Sequence, residues 1–333
     1  MEEVFSLAYC TIAATSAVHS KAGFLKRNVS TEYVLVQDAL GRRFYISAGI
    51  DDFDNDVEKA RLNTRAWVMQ ERILSRRTIH FSANQVYWEC GEGIYCENLT
   101  RLKSSFRRKF FMLDPNFPNR LLRSGYERTM EFIHFLSEDY SKRDLSEKTD
   151  RSVATSGLEV RIAGALKCQS SYGIFQRYLH RNLLWQASNN KMEPIGYKTR
   201  HVPSWSWMAY NGGIQFIDIP FGTVDWINNL RLEERGLVLI TDVGGFQDCT
   251  MGPDGKHYAV LDFDRKKRGW IQYDVEEGED LCKERCIVVG QKSNEGESEI
   301  EDESEIEDES KIEDGDRLDV KKYYILVVRP TRV

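Results

Sequence analysis

The sequence has no apolar stretch approaching the roughly 20 consecutive residues that a membrane-spanning helix requires; the runs Leu237–Ile240 and Ile325–Val328 are four residues each. That excludes a transmembrane helix. Near the start, Val4 to Val18 is apolar and rich in small residues, but Glu2 and Glu3 stand where a secretory signal carries Lys or Arg, so folded structure is expected there. Cysteine is sparse and unpaired in pattern: seven residues, an odd number, dispersed from Cys10 to Cys286, make no disulfide framework. A reducing, cytoplasmic location is expected. Motifs for nucleophile or phosphate chemistry are also missing, because neither Gly-x-Ser-x-Gly nor Gly-x-x-x-x-Gly-Lys occurs. Cys90-x5-Cys96 and Cys282-x3-Cys286 lack the close paired spacing of a structural zinc site, so no metal is expected and the thiols read as small buried hydrophobes.

What remains is a chain of 333 residues, 41% hydrophobic and 29% charged, large enough to bury a substantial core. Its net charge of −6 is concentrated in one segment. Glu295 to Asp316 holds thirteen acidic residues against one Lys, which leaves the rest of the chain at +6. The segment repeats a hexamer: Ser298–Glu303, Ser304–Glu309, then Ser310–Gly315. One isoleucine per six residues matches neither a helical stripe nor a strand alternation, so an acidic, disordered insert is expected over about 292–318. Its flanks, Cys286–Gly290 and Tyr323–Val328, are β-branched runs expected to pair as neighbouring strands, with the insert as an enlarged hairpin loop.

Elsewhere the pattern divides into three parts. Residues 1–100 mix helix and strand, with a buried strand expected at Thr11–Thr15, another at Phe44–Ser47, an acidic loop at Asp51–Asp56 and a helix at Thr64–Leu74. There Trp67, Gln70, Glu71 and Leu74 recur at three- and four-residue spacing. Thr78–Phe81 and Gln85–Trp88 flank Ser82-Ala-Asn84 as a hairpin. Residues 101–200 read as helical, with a capping-box spacing at Ser124–Glu127, an apolar stripe through Tyr126, Met130, Ile133 and Leu136, and a second helix expected over Asp150–Lys167 with Val153, Leu158, Ile162 and Leu166 inward. A further helix is expected over Ile174–Trp185. From His201 onward short aromatic and β-branched runs between Gly and Pro predict a β-rich unit over 201–333. In it Pro203-Ser-Trp-Ser-Trp207 would set Trp205 and Trp207 on one side of a strand, and Gly212-Gly213 and Gly244-Gly245 would form hairpin turns.

Four segments together resemble the heterokaryon-incompatibility (HET) domain of filamentous fungi: Leu7–Ala17 with Gly23-Phe-Leu25, Leu62–Ser75, Arg77–Phe81 running into Val86–Cys90, and Val202–Trp207. The most specific part is Trp67-x-x-Gln70-Glu71-Arg72 followed by Tyr87-Trp88-Glu89-Cys90. The family's Leu-Ser-Tyr-x-Trp-Gly and Trp-Ile-Asp-x-Leu-Cys-Ile-x-Gln segments are not in this sequence, so it corresponds to about the second half of the domain plus the extension that commonly follows. The resemblance implies a partial α/β unit like the Toll/interleukin-receptor (TIR) fold, in a chain that is α+β overall. It also implies a role in fungal non-self recognition and programmed cell death.

Two readings of the site follow. Some TIR enzymes cleave NAD with a glutamate four residues after a tryptophan, and Trp67-x-x-x-Glu71 has that spacing: Glu71 would be the reacting carboxylate and Trp67 the floor under the ligand. The structural alternative makes Trp67 a core anchor and Glu71 a surface partner of Arg72 or Arg65. The absent N-terminal segments favour a module that is not an enzyme, with no cofactor of its own and NAD only as substrate in the alternative. Its expected partners are other proteins, other incompatibility-domain proteins or a second copy. Nucleic acid is not expected, since the basic run Arg101–Lys109 comes without stacked aromatics on a recognisable nucleic-acid-binding fold and reads as a solvated basic loop. His80 reads as a satisfied histidine facing away from Ile79 and Phe81.

Overall fold

The computed structural model describes residues 2–28, 33–47, 52–97, 100–102, 123–189, 191–233, 238–245, 248–251, 257–261, 264–275, 285–293 and 322–328. The acidic repeat, the basic run beyond Leu102 and Cys282 lie outside the described residues. The protein is α+β and divides into two compact units, Met1–Cys168 and Gln169–Val333. Among the described residues no helix is long and apolar enough to cross a membrane.

In the first unit, α1 (Glu2–Leu7) leads into β1 (Thr11–Ala13), a hairpin of β2 (Tyr33–Gln37) and β3 (Arg43–Ser47), then α2 (Ala66–Leu74), β4 (Arg77–Phe81), β5 (Val86–Cys90) and β6 (Gly93–Cys96). One sheet runs β1-β4-β5-β6. Its β1–β4 pair is parallel, with Ala13 opposite His80, and the β4–β5 and β5–β6 pairs are antiparallel. The expected β4–β5 hairpin is present and closed by Ser82, whose amide donates to the Gln85 carbonyl at 3.1 Å while its Oγ accepts from the Gln85 amide at 3.0 Å. The buried strand expected at Thr11–Thr15 is corrected: β1 is an edge strand and Ile12 is 62% exposed, because nothing described pairs with its outer side. The acidic stretch before α2 is a single π-helical turn, Asp54–Glu58, whose Asp56 accepts from the Tyr87 hydroxyl (2.8 Å) and the Asn84 amide (2.7 Å). Phe53, Val57, Tyr87, Ile94 and Cys96 form a core cluster around it.

α3 (Tyr126–Ser141) buries Met130, Ile133 and Leu136 as its spacing predicts, while Tyr126 is exposed. The capping box does not form; Gly125, at φ +85°, is the N-cap and carries no side chain to bond the first turn. After α3 the chain crosses the start of α2. The Ala66 amide donates to the Asp144 carbonyl (2.9 Å) and the Asp144 amide to the Thr64 carbonyl (2.7 Å). α4 (Ser156–Leu166) begins six residues later than Asp150, behind a 3-10 turn at Lys148–Ser152, and its first turn meets α2 where the Leu158 amide donates to Gln70 Oε1 at 3.1 Å.

The second unit opens with β7 (Ser170–Ser171) and β8 (Ile174–Phe175), joined by Tyr172 at φ +49° and Gly173 at φ +79°. Positive φ at both central residues is the mirror-image turn that matches strand twist. It holds Ile174 and Phe175 extended, so the helix expected over Ile174–Trp185 shrinks to α5 (Leu179–Leu183), and β9 (Trp185–Ala187) starts directly after it. β10 (Glu193–Pro194) pairs with β11 (Tyr210–Asn211), and β12 (Ile214–Phe216) pairs with β9. Gly212-Gly213 therefore passes the chain between two ladders instead of turning a hairpin.

Pro203–Trp207 is not a strand. Ser206 caps a 3-10 turn at Trp207–Ala209, its Oγ accepting from the Met208 amide at 3.0 Å; Trp207 is buried, and the Trp205 carbonyl accepts from Trp185 Nε1. A short polar cap overrides the two-residue period here. The rest is antiparallel: β13 (Val224–Trp226), β14 (Arg231–Glu233) with β15 (Val238–Ile240), β16 (Gly244–Gly245), then β17 (Asp248–Met251), β18 (His257–Leu261) and β19 (Lys267–Gln272) as a three-stranded meander. β20 (Arg285–Lys292) pairs with β13, β16 and β21 (Tyr323–Val328), which places Gly244-Gly245 in a strand. The two runs flanking the acidic repeat thus pair as the sequence predicts, the Lys292 amide donating to the Lys322 carbonyl at 2.7 Å.

Candidate functional site

α2 carries the residues of the Trp-x-x-Gln-Glu-Arg segment, and the structure sends them in different directions. Arg72 points into the unit and is 6% exposed. Its Nε and Nη2 donate to the two oxygens of Glu89, each at 2.9 Å, while Nη1 and Nη2 donate to Glu58 at 3.0 and 2.8 Å. Two bidentate pairs on one guanidinium use its planar fork on both sides, a geometry that Lys cannot supply. His80 Nε2 lies 2.8 Å from Glu89 Oε2, and His80 Nδ1 lies 3.5 Å from Thr15 Oγ1. Phe53 covers the group, with the Arg72 guanidinium 5.7 Å from its ring centroid and His80 edge-on at 5.8 Å.

Burial decides the electrostatics. Desolvation would raise the carboxyl of Glu89, but the Arg72 charge and the His80 hydrogen bond outweigh it and hold it at about 2. Glu58 is held below its ordinary value by the same balance of burial against Arg72. The Arg72 guanidinium loses hydration but gains two carboxylates, and the net effect fixes its charge. Thr15 lies two residues beyond β1 and His80 is the fourth residue of β4, so the group sits at the carboxyl ends of the parallel pair, where ligands settle in open α/β sheets. Its side chains are nonetheless closed off, between 2 and 8% exposed, and their lone pairs and protons face one another. As arranged, the group ties α2, β4, β5 and the Asp54–Glu58 turn together.

Glu71 and Trp67 lie elsewhere on α2. Glu71 is half-buried, burial pushing its carboxyl above the ordinary value with partial relief from the charge of Arg65. The expected pairing of Glu71 with Arg72 is corrected, since adjacent helix residues diverge by about 100° and Arg72 faces inward. Trp67 is partly buried, and its indole N–H donates to Asp150 Oδ2 at 3.1 Å. The ring's polar edge is therefore committed to the turn before α4. His80 is a satisfied histidine facing away from Ile79 and Phe81, as its alternation predicts. Among the described residues no three His, Cys, Asp or Glu side chains are grouped to hold a metal ion.

The sequence reading passed over Glu58, Arg72 and Glu89 as a group. A signal was present for two of them. Arg72 occupies the stripe of Val68, Met69 and Ile73, and Glu89 shares the inward alternation of Tyr87. A charge at an inward position must be paired. Nothing local marks Glu58, which reaches the site from a separate turn. No protein-family model matches the chain, and neither a curated protein nor a solved structure does.

Proposed function

We propose that the chain is a HET-type non-self-recognition module that acts in the cytoplasm through protein contacts and signals toward cell death. The observation supporting this reading is the α1–β1 edge. Val4 (66% exposed), Leu7 (76%), Tyr9 (81%) and Ile12 (62%) stand at or before β1, whose outer side pairs with no strand among the described residues. Large apolar side chains crowded beside a free sheet edge mark a contact surface. The buried Arg72 group gives that edge a rigid frame through β4. The test is induced expression in a filamentous fungus with dye uptake as the death readout. Ile12→Lys should abolish death and Glu71→Gln should leave it intact; death that survives Ile12→Lys overturns the reading.

A second reading has one observation in its favour: Glu71 is a half-buried carboxyl whose titration burial shifts upward, and perturbed ionisable groups gather at functional sites. It makes the chain an NAD-cleaving effector. Nicotinamide release by purified protein, lost in Glu71→Gln, would establish it in place of the first.

A further inference from the structure

The β2–β3 hairpin stands alone. Its strands pair with each other from Tyr33–Ser47 to Gln37–Arg43, and among the described residues neither pairs with a third strand. A lone two-stranded hairpin is marginal in water. This one also turns Val34 (65% exposed), Leu35 (51%), Val36 (39%), Phe44 (48%) and Tyr45 (65%) to solvent, on both of its faces. Natural edge strands are guarded by Lys, Pro or a bulge. β2 has none of these, while β3 carries Arg43, with Arg42 beside it. The unguarded edge of the hairpin is therefore β2.

β1 presents the other unguarded edge of the same unit. Thr11–Ala13 is uncharged, its outer side pairs with no strand among the described residues, and the exposed apolar residues Leu7, Tyr9 and Ile12 lie at or beside it. Burying two uncharged edges against each other leaves no charge without a partner. Consecutive strands of a chain are the commonest neighbours in a sheet, yet β1 and β2 are not paired here.

We infer that these edges are filled by a second copy of the chain: β2 of one copy adds to β1 of the other, and the exchange is reciprocal across a two-fold axis. The sheet then runs β3-β2-β1-β4-β5-β6, with its first two strands contributed by the partner. Reciprocity closes the assembly and prevents an open fibre. Strand addition brings one face of the hairpin against the α1–β1 side chains, and reciprocity doubles that contact toward the roughly 1,200–2,000 Å² of specific interfaces. This inference rests on reading the α1–β1 edge as a contact surface, and names its partner.

The experiment is sedimentation of the full chain at tens of micromolar, with two variants, Ile12→Lys and Leu35→Lys. Neither residue is in the buried core, so circular dichroism should match the wild type for both. The wild type should be a dimer and each variant alone a monomer. Mixing the two variants should restore a dimer, weaker than that of the wild type, because the intact hairpin of the Ile12→Lys copy meets the intact edge of the Leu35→Lys copy at one of the two contacts while the other contact carries both lysines. Rescue on mixing is the outcome that a β1–β1 or a β2–β2 contact cannot produce. A monomeric wild type, or variants that stay monomeric when mixed, would overturn the inference, and so would a dimer that both variants retain. Those outcomes leave the cell-death assay unaffected: loss of death in Ile12→Lys with a monomeric wild type would point to a foreign partner at the same edge.

Discussion

Replacing Arg72 by methionine keeps most of the side-chain stem and removes the cation that bridges Glu58 and Glu89. The two carboxylates, 8 and 2% exposed, are then left facing one another without a guanidinium. Removing one partner of a buried ion pair costs about 3–5 kcal/mol, a large share of the roughly 5–15 kcal/mol of a whole domain. The pH dependence separates this cause from simple loss of packing. In the wild type Glu89 titrates at about 2, against 4.5 when unfolded. Its contribution, about 3 kcal/mol, is fully present above pH 4.5 and is lost as pH falls toward 2. In Arg72→Met the carboxyls are raised above 4.5, so the variant is favoured below that pH and penalised as pH rises. The stability difference between the two proteins should therefore be largest at pH 7 and shrink steadily to pH 4.5. Urea titrations at pH 7, 5.5 and 4.5, read by hydrogen exchange of the amides in β4 and β5, confine the measurement to the first unit. A difference below about 1 kcal/mol at pH 7, or one that does not change with pH, would refute the electrostatic account of this group.

Asp274 gives a pH dependence of opposite sign in the second unit. Burial pushes its carboxyl up to about 6 from 3.8, against the partial relief of the Ala187 amide, which donates to Oδ1 at 2.6 Å. That stabilisation, about 3 kcal/mol at most, is complete below pH 3.8 and lost as pH rises through 6; Asp274→Asn should flatten the unfolding free energy of β9 and β12 across pH 4–6, and an unchanged slope would show the group to be solvated. Gly173→Ala should cost about 1–3 kcal/mol, because φ is +79° and a Cβ would lie 2.8 Å from Trp207 Cζ2. A melting temperature within a degree of the wild type would mean that the Tyr172-Gly173 turn does not hold this geometry.

Local rules carried the sequence as far as local rules decide. Trp67, Gln70 and Leu74 place α2 within two residues, Met130, Ile133 and Leu136 place α3, and two β-branched runs separated by a long acidic repeat still identify β20 and β21 as partners. In each case the residues that define the element also supply most of what it buries. Where the reading failed, a neighbour a few residues away outcompeted the period. The Tyr172-Gly173 turn took Ile174 and Phe175 out of a helix, and the Ser206 cap took Trp205 and Trp207 out of a strand.

The charged group is illegible for a different reason. Glu58, Arg72 and Glu89 come from a turn, a helix and a strand separated by 14 and 17 residues, and no sequence period links those positions. Their pairing follows only once α2 lies against β4 and β5 and excludes water, so that each charge has nowhere else to go. Inward placement of a charge on an apolar stripe is thus readable from sequence, whereas the identity of its partner is a property of the packed unit. The free edges obey the same division: nothing in Thr11–Ala13 or Tyr33–Gln37 announces which strand will be left unpaired, but the absence of Lys, Pro and acidic residues from both is already a statement that neither is built to face water alone.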